Sequence, residues 1–179
     1  STSCNAYFCW GLYHMLSNRQ KYKNLDDAMN RWRDYMVSMG FGYKLGIDLP
    51  GEKRGLIPNA EFYNNAFDRW NPLTVISISI GQGEINLTPL QIANLGAIIA
   101  NRGYYYTPHV VRHIQGQRLD KKYTTKHIAM GTPQAYKEVV AGMASSVIGG
   151  TCAFATHPGY TLAGKTGTAQ NRGKDHSVF

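Results

Sequence analysis

The sequence predicts a mixed α/β domain, and three observations support this fold class. Two segments between residues 5 and 39 carry apolar side chains at helical spacing. A glycine-rich region with β-branched and aromatic residues follows, which is typical of turns and strands. Two helices with clear start signals, at Thr88 and Thr132, interrupt the later part of the chain, which ends in a predicted strand. The expected order is therefore helical, then extended, with two further helices between the last strands.

The length and composition are those of one folded domain. The chain has 179 residues, 43% of them hydrophobic, which is enough to bury one core. It contains no apolar run of about 18 residues and begins with polar residues, so we expect any export signal or membrane anchor to lie upstream. The net charge of +8 comes from dispersed basic residues, which favours a solvated basic face over a nucleic-acid surface.

The cysteines indicate neither a disulfide framework nor a metal site. Cys4, Cys9 and Cys152 form no C-x-x-C pair, and an odd number cannot pair fully within the chain. Cys4 and Cys9 stand near aromatic residues, which predicts that they are small buried hydrophobic side chains. We predict no metal ion and no cofactor.

The first two elements are predicted to be amphipathic helices. From Asn5 onward, Phe8, Leu12, Met15 and Leu16 fall on one helical face, so Ser3-Cys4-Asn5 lies at a helix entrance. The second helix carries a stripe of large apolar residues, and Gly40 follows as its natural stop. That stripe consists of Leu25, Met29, Trp32, Met36 and Met39.

The middle of the chain is predicted to be extended. Residues 41–52 contain closely spaced glycines and a Pro-Gly pair, which indicate an ordered loop or hairpin. Residues 75–80 alternate between apolar and polar side chains and predict a half-buried strand that ends at Gly81-Gln82-Gly83. Residues 104–113 are aromatic and β-branched but contain Pro108, which predicts one or two short strands near a sheet edge.

Two later helices have distinct start signals. Thr88-Pro89-Leu90-Gln91 combines an N-cap, a proline at the first helical position and a capping box, and predicts a helix to about residue 101. Thr132-Pro133 begins another helix, which Gly149-Gly150 ends. Its inward residues are predicted to be Tyr136, Val139, Val140, Met143 and Val147.

Two short motifs stand at opposite ends of the chain, Ser3-Cys4-Asn5 and Lys165-Thr166-Gly167. Penicillin-binding proteins and β-lactamases combine S-x-x-K, S-x-N and K-T-G. Lys165-Thr166-Gly167 matches the third motif and Ser3-Cys4-Asn5 matches the second, whereas no serine is followed by lysine three positions later. Taken alone, S-x-N carries little information, because a serine at a helix entrance more often caps the backbone.

A competing motif includes the same lysine. Residues 159–166 fit G-x-x-x-x-G-K-[ST], the phosphate-binding loop of P-loop nucleotidases. Such a loop needs a buried strand before it and a helix after it. Phe154-Ala155-Thr156-His157-Pro158 is a poor strand and Gly167-Thr168 is a poor helix start, so the nucleotidase is the remote alternative.

Longer stretches around the two motifs follow a family pattern in order along the chain. These stretches are residues 3–8, 46–52 (G-I-D-L-P-G-E), 80–83 (I-G-Q-G), 87–93, 164–170 (G-K-T-G-T-A-Q) and 175–179, the last of which resembles the beginning of the strand after K-T-G. Together they resemble the transpeptidase domain of class B penicillin-binding proteins, most of all the elongation-type penicillin-binding protein 2. The resemblance covers nearly the whole chain, from the S-x-N motif to just past the K-T-G strand, so residues 1–179 are expected to be one partial transpeptidase domain.

The resemblance implies a fold and an activity. The fold is that of serine β-lactamases and penicillin-binding proteins, an antiparallel sheet with helices on both faces, incomplete in this chain. The implied reaction is serine acyl transfer between D-Ala-D-Ala stem peptides of peptidoglycan, which β-lactams arrest at the acyl stage. The implied partners are stem peptides, β-lactam antibiotics and the cell-wall elongation machinery, and the implied location is the periplasmic face of the bacterial inner membrane. Nucleic acid is not expected as a partner.

The family motifs assign roles to six residues. By resemblance, Ser3 relays a proton toward the leaving amine, Asn5 bonds the substrate amide, and Lys165 maintains a positive field. Thr166 and Thr168 would bind the terminal carboxylate, and the Thr168 N–H would be one of two oxyanion donors. Gly167, having no side chain, would let substrate backbone approach the strand.

One departure from the family pattern bears directly on activity. The nucleophilic serine of S-x-x-K is absent from these residues, so the 179-residue chain alone is predicted to be inactive while its parent is an enzyme. A non-catalytic penicillin-binding sensor or scaffold that uses the same fold remains the alternative.

Overall fold

The computed structural model describes residues 3–170, 173 and 175–178, and within them the chain is mixed α/β, as predicted. Its α-helices are α1 (Asn5–Ser17), α2 (Leu25–Ser38), α3 (Ala60–Ala66), α4 (Pro89–Ala100), α5 (Lys121–Thr124) and α6 (Pro133–Gly149). Two 3₁₀ helices span Ile76–Ile80 and Ala153–Ala155. The strands are β1 (Tyr104–Tyr106), β2 (Lys126–Ile128), β3 (Gly167–Ala169) and β4 (His176–Val178).

The predicted N-terminal helices are confirmed, and they build the larger core. Asn24 caps α2 by accepting a hydrogen bond from the backbone N–H of Asp27 at 2.8 Å. At the other end of α2, Gly40 has φ +85°, a left-handed conformation that glycine adopts without penalty. Leu16 and Met29 are completely buried where α1 and α2 meet α3 and the first 3₁₀ helix.

The predicted strand at residues 75–80 is wrong, because Ile76–Ile80 forms a 3₁₀ helix. In a 3₁₀ helix, side chains three positions apart lie on the same side. This spacing buries Val75 and Ile78, at 0% and 3% exposure. The hydroxyl of Ser79 donates to the Ile76 carbonyl at 2.7 Å, which satisfies a backbone acceptor within the turn. Packing against α1 therefore decides the conformation over the alternating pattern.

Helix α4 begins as predicted. The Thr88 hydroxyl accepts from the Gln91 N–H at 3.2 Å, and the Gln91 side chain accepts from the Thr88 N–H at 3.0 Å, which completes the capping box. The Gln91 amide also bonds the preceding loop at residues 40–54, which is irregular but ordered, in agreement with the prediction. This buried side chain joins α4 to the loop.

The strand prediction for residues 104–113 is confirmed only in part. Tyr104–Tyr106 pairs antiparallel with Lys126–Ile128, and the chain is irregular from Thr107 onward. Sequence patterns did not predict β2, α3 or α5, which are short and carry little periodicity. A second core of Ile98, Tyr105, Ala129 and Tyr136 lies between α4, the β1–β2 pair and α6.

Helix α6 and the final strand pair are confirmed, with one correction to the inward face. Tyr136 and Val147 are buried, but Val139 is 45% exposed because it borders an open apolar cavity. Strand β3 pairs antiparallel with β4, with Thr168 opposite Ser177, as expected for the strand after K-T-G. Phe179, the last residue of that predicted strand, lies outside the described residues.

The prediction that Cys4 and Cys9 are buried is wrong for Cys4 and confirmed only in part for Cys9. Cys152 is buried, whereas Cys4 is exposed and Cys9 is half-buried. Cys4 is the N-cap of α1, at an exposed helix end rather than in the core. None of the described helices combines the length and the apolar character needed to cross a membrane.

Candidate functional site

The two ends of the described chain meet at a lysine and a serine. The ammonium group of Lys165 donates to the hydroxyl of Ser3, with Nζ–Oγ 2.7 Å. Ser3 does not cap α1: the N-cap is Cys4, which makes no side-chain capping bond. The Ser3 oxygen is therefore available to a cation and, through it, to proton transfer.

Lys165 is positioned by the segment that leads into β3. Its ammonium also donates to the Thr166 carbonyl at 2.6 Å, which draws the side chain back over the strand entrance. The N–H of Gly164 donates to the Met143 carbonyl of α6 at 3.1 Å. A Cβ on Gly164 would lie 3.5 Å from the Cys152 sulfur, so this glycine lets the segment lie against the α6 region. Helix α6 thus supports the K-T-G motif from behind.

A row of hydroxyl groups extends from the motif toward the interior. Thr166 Oγ1 lies 3.5 Å from Thr151 Oγ1, which in turn lies 3.2 Å from Ser146 Oγ. Ser146 is 3% exposed. Sequence reasoning missed Ser146 and Thr151, because no local pattern distinguishes them from ordinary helix and turn residues. They orient the Thr166 side chain relative to the cleft.

All six sequence-predicted site residues line one cleft of about 680 Å³. Ser3 and Asn5 come from the start of α1, and β3 with its entrance supplies the other four, Lys165, Thr166, Gly167 and Thr168. Asn5 faces this cleft without bonding Lys165 in the part of the chain that is described. The cleft thus combines a cation, hydroxyl groups and the backbone of a strand.

The opposite wall of the cleft is formed by the end of the first 3₁₀ helix and the loop that follows it. Ser79 and Gln82 line it, and the Gln82 amide donates across the cleft to the Thr168 carbonyl at 3.1 Å. Sequence reasoning did not assign Gln82 to the site, although the I-G-Q-G stretch around it was part of the resemblance. Its position in that stretch was the signal that could have identified it.

The Gln82 loop is anchored to the larger core. Glu84 accepts a hydrogen bond from the buried Tyr63 hydroxyl at 2.9 Å. Burial, followed by this carboxylate, raises the pKa of the Tyr63 hydroxyl far above its usual range. Tyr63 therefore stays protonated and remains a donor to Glu84, which holds one side of the loop in place.

A second cavity of about 650 Å³ adjoins the cleft between α4 and α6. Its walls are mainly apolar, including Ile92, Ile99, Val139 and Met143, and it shares Lys165 with the cleft. Lys165 therefore lies between the cleft that the motif residues line and a more apolar cavity. The low dielectric constant on the side of the apolar cavity strengthens the electrostatic field of the Lys165 ammonium group.

The structure contradicts the nucleotidase alternative. Lys165 and Thr166 lead into strand β3, not into a helix. The segment before the motif carries only a short turn, with an isolated bridge between His157 and Tyr160. Neither the strand nor the helix N-terminus that a phosphate-binding loop requires is present around residues 159–166.

Comparison with known proteins gives a consistent result. Residues 1–178 match the family model of the penicillin binding protein transpeptidase domain. The peptidoglycan D,D-transpeptidase MrdA of Acinetobacter baumannii is 37% identical over 175 residues, which are 94% of this chain and 24% of the relative. The chain thus spans about a quarter of the length of this curated relative.

Solved structures agree with the predicted fold. The structure of Pseudomonas aeruginosa PBP2 in complex with WCK 5153 superimposes with a TM-score of 0.78 at 30% identity, covering 97% of this chain and 37% of that one. A structure of a peptidoglycan synthase complex, described as coordinating polymerization and crosslinking, gives a TM-score of 0.73 at 29% identity over 96% of this chain and 27% of that one. The transpeptidase fold class is confirmed.

Proposed function

Because the chain belongs to the penicillin binding protein transpeptidase domain family, we propose that it forms part of a peptidoglycan D,D-transpeptidase of cell-wall elongation. The observation that carries the proposal is the 2.7 Å contact between Lys165 and Ser3. It brings the K-T-G and S-x-N motifs into one cleft, although they lie at opposite ends of the sequence. This is the arrangement that serine acyl transfer needs around its nucleophile.

In the proposed reaction, the residues of the cleft transfer a proton and bind the donor peptide. Ser3 passes a proton toward the departing D-Ala amine, and Lys165 keeps the relay polarised. Thr166 and Thr168 bind the terminal carboxylate, while Asn5 bonds the amide side of the donor. Gly167 leaves room for donor backbone along β3. The Thr168 N–H contributes one of the two oxyanion donors.

The nucleophile belongs to a part of the enzyme outside these residues. The 179 residues contain no S-x-x-K, so we propose that they form one portion of the transpeptidase domain and are inactive alone. The nucleophilic serine attacks the penultimate D-Ala carbonyl, D-Ala leaves, and an amine of a second stem peptide resolves the ester. β-Lactams acylate the same serine and are released slowly.

The location and partners of the enzyme follow from the same assignment. Its substrates are peptidoglycan stem peptides, which places the domain on the periplasmic side of the inner membrane. The similarity to a peptidoglycan synthase complex supports a glycan-polymerising enzyme of the elongation machinery as partner. Neither a cofactor nor a metal ion takes part in the proposed reaction.

Intact mass spectrometry of the full-length protein after incubation with benzylpenicillin tests the proposal. We expect one covalent adduct on the wild type, loss of the adduct in Lys165→Ala, and none on the 179-residue chain. The matched control is Lys137→Ala, which removes an exposed lysine of α6 and should acylate normally. If the full-length wild type forms no adduct, the proposal that it is a transpeptidase is refuted.

A second assay distinguishes transpeptidase activity from the alternative function as a non-catalytic sensor or scaffold. The full-length protein is given a stem-peptide donor ending in D-Ala-D-Ala together with an amine acceptor. Release of D-Ala and formation of the cross-linked product support the transpeptidase. Acylation by penicillin without either product would establish the non-catalytic alternative.

A further inference from the structure

The side chain of Gln82 joins the two walls of the cleft. Its amide nitrogen donates to the Thr168 carbonyl at 3.1 Å, across 86 positions of sequence. Gln82 comes from the loop after the first 3₁₀ helix, and Thr168 is the central residue of β3. This contact is made by groups that line the cleft rather than by the core.

The backbone of the Gln82 loop is fixed, whereas its side chain projects into the cleft. The backbone N–H of Gln82 donates to the Ser77 carbonyl at 3.1 Å, and the next residue but one, Glu84, is held by Tyr63. The glycine on either side of Gln82 has positive φ, +75° and +70°, so the chain turns sharply around it. The loop thereby fixes the backbone from which the Gln82 side chain reaches β3.

The Thr168 carbonyl that receives this amide lies on the cleft side of β3. Strand β3 pairs with β4 on one edge, with Thr168 opposite Ser177. Peptide groups along a strand point alternately to its two sides, and the N–H and C=O of one residue share a side. Because the Thr168 carbonyl faces Gln82, it belongs to the edge of β3 that lines the cleft.

The unpaired edge of a strand binds extended peptides by adding them as a further strand. An extended acyl donor along β3 would present a backbone N–H to the Thr168 carbonyl. Gln82 already supplies an N–H to that oxygen, from the facing wall. A carbonyl oxygen can accept two hydrogen bonds, but both N–H groups would approach this one from the cleft side of β3. The donor amide and the Gln82 amide therefore compete for the same space beside the Thr168 carbonyl.

We propose that Gln82 is a specificity-determining residue: its side-chain amide bonds the Thr168 carbonyl in the free protein and is displaced by the backbone N–H of the acyl donor. This inference rests on the proposed transpeptidase activity. Ligands that carry a matching N–H must displace Gln82, and ligands that lack one can leave it in place. Gln82 thus lowers reactivity toward acylamino ligands relative to other β-lactams.

Acylation kinetics of the full-length protein test this inference with two ligands. Benzylpenicillin has an acylamino N–H, whereas a carbapenem has a hydroxyethyl group in its place. In Gln82→Met, which keeps the length of the side chain but has no donor, we expect the second-order acylation rate for benzylpenicillin to rise about 3- to 10-fold. The rate for the carbapenem should stay within about twofold of the wild type.

A second variant and a control separate competition from a change in the loop. Gln82→Ala should shift the ratio of the two rates in the same direction as Gln82→Met. Gln134→Met, on the exposed face of α6, should leave the ratio unchanged. The role of Gln82 would be overturned if its variants changed the acylation rates of both ligands equally or changed neither rate. A slower reaction with benzylpenicillin would overturn it as well. A wild type that neither ligand acylates would instead overturn the proposed function and this inference with it.

Discussion

Lys165 and Ser3 form a hydrogen bond of 2.7 Å between residues that are 162 positions apart. The lysine stands at the entrance of β3 and the serine directly before the N-cap of α1. A compact ammonium group can approach a hydroxyl this closely and still donate to a second acceptor, here the Thr166 carbonyl. The pair is the structural basis of the proposed proton relay.

Replacing Ser3 with alanine should impair acyl transfer without unfolding the protein. Ser3 is exposed and makes no capping bond, so its loss removes the relay oxygen and little packing. A missing general acid–base group typically costs about 10²- to 10⁴-fold in rate. The acylation rate of the full-length Ser3→Ala variant with a fluorescent penicillin provides the measurement. Ser145→Ala, which removes an exposed hydroxyl from α6, is the control, and equal rates in the two variants would contradict the role of Ser3.

Gln91 should be among the most sensitive positions for stability. Its buried amide donates to the carbonyls of Gly40, Tyr43 and Arg54 at 3.2, 2.8 and 3.0 Å. In Gln91→Leu these acceptors lose their donor, and we expect the free energy of unfolding to fall by about 2–4 kcal/mol. Thermal unfolding followed by circular dichroism measures the change. Gln134→Leu, at an exposed position of α6, should change the stability by less than about 0.5 kcal/mol.

Alanine substitutions at Gly55 and Gly51 allow the cost of a steric clash to be measured separately from the cost of backbone strain. Both have positive φ, +66° and +82°, so alanine is strained at either position. A Cβ on Gly55 would lie 2.4 Å from the Asn86 carbonyl oxygen, whereas one on Gly51 would meet nothing within 4 Å. We expect Gly55→Ala to lower the free energy of unfolding by about 1–3 kcal/mol more than Gly51→Ala. Similar losses in the two variants would show that the loop moves freely away from Asn86.

Asp48 should make the stability depend on acid pH. Its carboxylate accepts from the backbone N–H groups of Val110 at 3.0 Å and Val111 at 2.9 Å, and these bonds lower the pKa of Asp48 below 3.8. A lowered pKa means that the stabilisation is present above the unfolded value and is lost as the pH falls below it. Between about pH 6 and pH 2, the unfolding temperature of the wild type should drop more steeply than that of Asp48→Asn. Asp68→Asn, at an exposed aspartate, should retain the wild-type slope.

The features that sequence predicted correctly are those set by neighbouring residues. The capping box at Thr88, the proline start at Thr132 and the apolar stripe of α2 are local signals, and each helix begins where its signal stands. The six motif residues were also placed in one site by resemblance to a family. Their roles remain predictions, although the cleft contains all six.

The features that sequence did not predict depend on distant contacts. The alternation at residues 75–80 fits a strand, but Val75 and Ile78 pack into the core as a 3₁₀ helix. The bond from Gln82 to Thr168 joins two segments that no local pattern connects. Ser146 and Thr151 likewise acquire their place only when α6 packs behind the K-T-G segment.

The long separation between Ser3 and Lys165 has a kinetic consequence. A contact between residues far apart in sequence closes a long loop, and the entropy of that loop is lost before the contact contributes, so we expect it to form late in folding. Helices such as α2 and α4 are stabilised by hydrogen bonds between residues close in sequence, so we expect them to form early. The full-length protein should therefore recover its helical circular dichroism on refolding before it recovers the proposed reactivity toward a β-lactam. If it is the proposed transpeptidase, antibiotic labelling would report completed assembly of the domain, and partly folded molecules would not be labelled.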